Sequence, residues 1–211
     1  MKVLTMRTGD SVELTDQEKA AIIEEAAKHY GKFLSALGFN WSNDPHMEGT
    51  PERVAKAWVQ DLVAGCYQAP PTITSFQNNE NFNGMVIQKN IEVCSLCAHH
   101  NLPFKGKCTI AYLPSSQEKG GQVVGLSKLN RIAKYFAQRP TVQELVTKQI
   151  HDFVSAALVG NRGVAVVINS EHCCVSCRGV RDDSEMVTSQ LSGYFYDNSV
   201  GTRTEFFSLL K

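Results

Sequence analysis

Cysteine and histidine crowd two short stretches of this chain, Cys94-Ser95-Leu96-Cys97-Ala98-His99-His100 and His172-Cys173-Cys174-Val175-Ser176-Cys177. Thiolate and imidazole are preferred zinc ligands. Structural zinc sites take four of them, whereas catalytic sites take three from protein and leave a position to water. Cys97 and His100 stand three residues apart and can hold one ion together, with a remote third ligand supplied by the second stretch. Two assignments fit this spacing. Cys94-x-x-Cys97 with Cys174-x-x-Cys177 would close a site of four thiolates. Alternatively, Cys97, His100 and one of Cys173 or Cys174 would form an open site beside His99 and His172. The open arrangement gives every histidine a task, but spacing alone does not choose. A blander reading takes the cysteines as small buried apolar side chains. Zinc lowers the pKa of its bound water to about 7, so an open site implies hydrolytic attack on an electrophilic carbon at neutral pH. His99 and His172 would then be the candidate catalytic residues, as proton donors and acceptors.

Other residues could hold an anion or a base. Gly125-Leu126-Ser127-Lys128-Leu129-Asn130-Arg131 reads as a helix start with Ser127 at the N-cap, and its free N–H groups and positive dipole end suit a polyphosphate. Lys128 and Arg131, three apart, share one face of that helix. An ordinary solvated helix start explains the same residues. Arg178 and Arg181, just past the second cysteine cluster, could add charge to the same pocket. Glu144 completes a capping box with Thr141, yet a carboxylate at a helix start can also accept hydrogen bonds from a guanine N1–H and amino group. Both readings of Glu144 stay open at this level.

The elements that must position these groups divide the chain in two. Thr15-x-x-Glu18 is a capping box, and Ile22, Ile23, Ala26, Tyr30, Phe33 and Leu34 follow at helical spacing until Gly38. Thr50-Pro51-Glu52 announces a second helix, with Thr50 as N-cap, running to Gly65. Residues 1–69 are therefore read as an N-terminal helical segment. The polar, Pro- and Asn-rich residues 70–83 are read as a linker loop, and 84–211 as the catalytic domain. Within that domain strands are predicted over 85–94, 107–113, 163–168 and 203–208, with helices over 127–137 and 142–158. Strand, strand, helix, helix, strand, strand predicts an α+β fold, an antiparallel sheet with two helices on one face. The chain has 211 residues, with 21 Lys and Arg against 21 Asp and Glu. That balance supplies no global field for nucleic acid or an anionic membrane. The absence of a leader or a long apolar run leads to the expectation of a soluble cytoplasmic protein.

Assembled, these pieces resemble the GTP cyclohydrolase I family of the tunnelling-fold superfamily. The resemblance runs through Thr50-Pro51-Glu52-Arg53-Val54-Ala55-Lys56, Cys97-x-His99-His100, Gly125-Leu126-Ser127-Lys128, Ala137-Gln138-Arg139-Pro140-x-Val142-Gln143-Glu144 and Arg178-Gly179-x-Arg181-Asp182. It implies Zn2+ bound by Cys97, His100 and Cys174, with His99 donating a proton to the imidazole ring and His172 assisting water. It further implies that Glu144, with Gln143 beside it, grips the guanine edge, while Ser127, Lys128, Arg131 and Arg178 hold the triphosphate. The implied reaction takes GTP to formate and 7,8-dihydroneopterin triphosphate in a homodecamer whose sites lie between subunits. One departure stands out: Ala98 occupies the place of the family's usual glutamate. It raises two alternatives, a diverged cyclohydrolase that stops at a ring-opened formamide or uses another purine nucleotide, and a non-catalytic zinc-stabilised nucleotide-binding oligomer.

Overall fold

The computed structural model describes residues 4–197 and 201–211. Helix α1, Asp16–Ala36, begins at the predicted capping box: the Glu18 amide donates to Thr15 Oγ1, and the Glu18 carboxylate accepts from the Thr15 amide at 2.8 Å. Gly38, at φ 88°, turns the chain out of the helix. Helix α2, Thr50–Ala57, starts one residue earlier than expected, because Gly49 takes the cap position in a left-handed conformation. It is also shorter than predicted. Residues beyond Ala57 widen into a π turn, Trp58–Leu62, and then a 3-10 turn, Ala64–Cys66. The carbonyls of Cys66 and Tyr67 are thereby freed to accept the amides of Val12 and Leu14.

The predicted linker loop contains a short strand, β1 (Ser75–Gln77). Strands β2 (Val86–Cys97) and β3 (Pro103–Leu113) form a long antiparallel hairpin, and β4 (Gln122–Val124) pairs back onto β1. Helix α3, Leu126–Ala137, is capped by Gly125, so Ser127 lies inside its first turn rather than at the N-cap. A two-residue strand, β5 (Pro140–Thr141), runs parallel to the end of β2. Helix α4, Gln143–Ala157, follows with Val142 at its cap, and no side chain caps it. The Thr141–Glu144 capping box is therefore not formed, because pairing with β2 draws Thr141 into the sheet. Strand β6 (Gly163–His172), a single helical turn α5 (Cys173–Ser176), strand β7 (Glu185–Leu191) and helix α6 (Thr202–Leu209) complete the chain.

Arg203–Ser208, read as a strand from its Thr and Phe content, is thus helical. Phe206 is fully buried against Phe195, whereas Phe207 stays more than a third exposed, which suits a helix with one apolar face. The fourth long strand of the sheet is β7 instead. The sheet order is β5-β2-β3-β6-β7. The fold is α+β and of the tunnelling type, with α3 and α4 on one face.

Alternation along the strands sorts the side chains between the two faces. Ile91, Val93, Phe104, Cys108, Ile110, Val164, Val166 and Ile168 meet Leu129, Ile132, Val146, Ile150 and Val154 in the main core. On the second face Ala111, Leu113, Ala165 and Val167 are covered by Phe195 and Phe206, while Glu92, Cys94, Lys105 and Glu171 lie open. Among the described residues, no helix is long and apolar enough to cross a membrane.

The N-terminal segment is tied to the sheet through Arg139. This side chain is 2% exposed, its guanidinium lies over the Tyr135 and Phe136 rings, and its Nη1 donates to the Gly9 carbonyl at 2.6 Å. The Arg139 carbonyl accepts from Ser95 Oγ at 3.0 Å and from the Leu96 amide, just ahead of Cys97.

Candidate active site

Strand register explains how two distant cysteine clusters meet. Because β3 runs antiparallel to both β2 and β6, the ends of β2 and β6 arrive at the same edge of the sheet. Ser95 pairs with Phe104 and Phe104 with His172, so Cys97 and Cys174 each lie two residues beyond one row. At the tip of the hairpin the Cys97 carbonyl accepts the amides of His100 and Asn101, the latter at φ 54°. A left-handed asparagine closes such a turn at little strain. β5 buttresses it from the other side, the Ala98 amide donating to the Thr141 carbonyl at 2.9 Å.

Cys97 Sγ, a His100 ring nitrogen and Cys174 Sγ converge within 4.8 Å of one another. Two sulfurs and one imidazole nitrogen form a borderline-soft donor set that fits zinc, and three protein ligands leave a coordination position for water or substrate. Among the described residues this is the convergent group of three or more potential ligands. Cys94 is exposed on the open face of β2, and Cys177 is exposed beyond α5. The closed four-thiolate arrangement is therefore not built by this fold. Burial, followed by the adjacent Cys97 thiol, raises the pKa of Cys174, while the Arg178 guanidinium opposes them. A divalent cation would reverse that balance by stabilising the thiolates.

The candidate proton-transfer groups surround these donors. His99 is exposed, with Nδ1 3.9 Å from Cys97 Sγ. The His172 ring stacks on Phe104, centroids 4.6 Å apart at 9°. Burial pulls the His172 pKa below the ordinary imidazole value, and the Glu144 carboxylate only partly opposes this. Burial thus biases His172 toward the neutral imidazole. Glu144 is exposed on the first turn of α4, and its neighbour Gln143 points the opposite way. Gln143 is 1% exposed, and its amide is consumed by bonds to Ile168, Met186, Thr188, Ser170 and His172.

Within one chain the structure thus brings together Cys97, His99, His100, Glu144, His172, Cys174 and Arg178. Ser127, Lys128 and Arg131 remain on α3, and no hydrogen bond or ion pair links them to this group. Arg131 instead lines a shallow cavity of about 270 Å³ with Gln68, Lys134 and Gln138. Phe104 and Ser170 contact His172 and Gln143 without having been singled out in the sequence. Their signal lay only in register, two residues from His172 along β6 and directly across from it on β3.

The chain is similar in sequence to known proteins along nearly its whole length. A sequence model of the family described as GTP cyclohydrolase I matches residues 26–211. The GTP cyclohydrolase 1 of Flavobacterium johnsoniae is 41% identical over 204 residues, covering 96% of this chain and 86% of the relative. The enzymes of that name from Enterobacter sp. (strain 638) and Salmonella choleraesuis are each 38% identical over 200 residues, covering 94% of this chain and 86% of theirs. With both cysteine clusters inside the matched region, the chain belongs to the GTP cyclohydrolase I family.

Proposed function

We propose that this protein is a zinc-dependent enzyme that hydrolyses GTP, releases purine C8 as formate and rearranges the remainder to 7,8-dihydroneopterin triphosphate. The observation that carries this reading is the convergence of Cys97, His100 and Cys174 beside the stacked His172 ring and an exposed Glu144. Zinc held there supplies Lewis acidity that makes water nucleophilic at neutral pH. The other steps fall to side chains of the chain itself.

Glu144, free of any capping bond, offers both carboxylate oxygens to the guanine N1–H and amino group. That pairing orients C8 toward the ligand group. His99, exposed beside Cys97, delivers a proton to the imidazole nitrogen as the ring opens. His172, which burial biases toward the neutral form, accepts a proton from the attacking water. Arg178 beside Cys174 meets the triphosphate. Ser127, Lys128 and Arg131 complete its binding from an adjoining subunit of a homodecamer, which accounts for their separation from the group in one chain. Ala98 supplies no carboxylate, and the Cys97, His100 and Cys174 side chains converge without one.

Purified protein loaded with zinc and incubated with GTP is expected to release formate and, after oxidation, a fluorescent pterin. The absence of both products would sink this reading.

A further inference from the structure

Gln143 holds His172 through a network whose donors and acceptors can be assigned without ambiguity. Its Nε2 lies 3.0 Å from the Ile168 carbonyl and 2.9 Å from the Met186 carbonyl. Carbonyls only accept, so this atom is the amide nitrogen and both its hydrogens are committed. Oε1, on the other side, can only accept. It receives Ser170 Oγ at 2.6 Å, and His172 Nε2 lies 2.8 Å away. His172 Nε2 must therefore carry a hydrogen, and in the neutral ring Nδ1 is the bare nitrogen. Phe104 packs flat against the same ring, and among the described residues no hydrogen bond engages Nδ1.

We propose that Gln143 is a positioning residue rather than a substrate contact, fixing His172 as the Nε2–H tautomer so that Nδ1 is the atom presented for proton transfer. This rests on the role given to His172 above. A proton arriving at Nδ1 produces an imidazolium whose Nε2–H is already held by Oε1, so neither ring nor amide must turn. The two carbonyls on β6 and β7 prevent the amide from flipping, because a flipped amide would set its oxygen against two other oxygens. The choice of tautomer is thus made by backbone atoms of the sheet.

Two measurements test it. The resting wild-type protein, labelled with 15N-histidine, is expected to show for His172 the nitrogen–carbon-bound proton correlations of a hydrogen on Nε2. Assignment comes from the signal lost in His172→Gln. A hydrogen on Nδ1 would overturn the proposal. This readout needs no GTP, so it stands even if the assigned reaction fails. Gln143→Met should then lower kcat about 10- to 100-fold, the usual cost of losing an orienting partner, while KM for GTP stays within about threefold. A raised KM at unchanged kcat would mark a substrate contact and overturn it. Should Gln143→Met fail to fold, the wild-type tautomer decides.

Discussion

Replacing Cys174 with serine is expected to remove zinc and turnover together while leaving the fold of the sheet intact. Cys174 sits on the single turn α5 just past β6, half-buried at the edge of the main core, and serine replaces its sulfur with the smaller oxygen, so the packed strand rows beneath it stay filled. Its sulfur is one of only two in the converging group. Loss of an outer partner of a metal ligand typically costs about 10- to 100-fold in affinity or activity, and loss of a ligand should exceed about 100-fold. Metal analysis after dialysis and a GTP assay would check both numbers. Cys94→Ser and Cys177→Ser provide the contrast, since both thiols are exposed and outside the group, and both variants should keep their zinc. Metal binding to the folded state alone also stabilises it, by about 2.7 kcal/mol at a free concentration 100-fold above Kd. A chelator should therefore lower Tm in the wild type and leave Cys174→Ser unmoved. Equal zinc content in Cys174→Ser and the wild type would refute the ligand assignment.

Gly106→Ala should be the most damaging small substitution in the sheet. Gly106 pairs with Ser170 across β3 and β6, and a Cβ built there would lie 1.9 Å from the Asn169 carbonyl and 2.5 Å from Ser170 Cβ. Both obstacles belong to or adjoin the backbone of a central strand, so neither can swing aside. Overpacking typically costs about 1 to 3 kcal/mol and occasionally more; with a backbone oxygen as the obstacle, about 3 kcal/mol or greater is expected. Ser170 is also the residue whose hydroxyl anchors Gln143 Oε1. Strain at Gly106 should accordingly reach the active site, and any folded fraction should show a lower kcat than its zinc content implies. Thermal or urea unfolding of the soluble variant measures the first effect. A variant as stable as the wild type would show that β3 and β6 can separate locally.

The parts of this molecule legible in its sequence are those governed by short-range rules. Thr15 and Glu18 are three residues apart, and their reciprocal bonds form as written. Ile91 and Val93 alternate with Glu92 inside the strand read over 85–94, and motif spacing together with family resemblance pointed to Cys97, His100 and Cys174, whose side chains do converge. Long-range pairing hid the rest. Residues 203–208 carry β-forming side chains, yet only Phe206 has a core to enter, and the left-handed Gly201 at φ 72° starts a helix there. Strand β7 alternates mostly between polar residues at the sheet edge, so its period carries no hydrophobic contrast. Gln143 looked like a recognition residue because it adjoins Glu144. Its inward turn depends on carbonyls contributed by β6 and β7, which no local pattern announces.

The clamp of Arg139 on Gly9 has a consequence for the order in which the protein assembles. Gly9 and Arg139 are 130 residues apart in the chain, and the nearby bond from Ser11 to Tyr135 spans 124. Contacts of such separation are entropically the slowest to close. During synthesis Gly9 must wait for α3 and the Arg139 that follows it before it can lock. The sheet and its two helices can collapse without them, so the clamp belongs on the native side of the folding barrier. Loosening it would quicken unfolding and leave the folding rate nearly unchanged. The segment around Gly9 is thus a latch on the fold's lifetime rather than a seed of the fold.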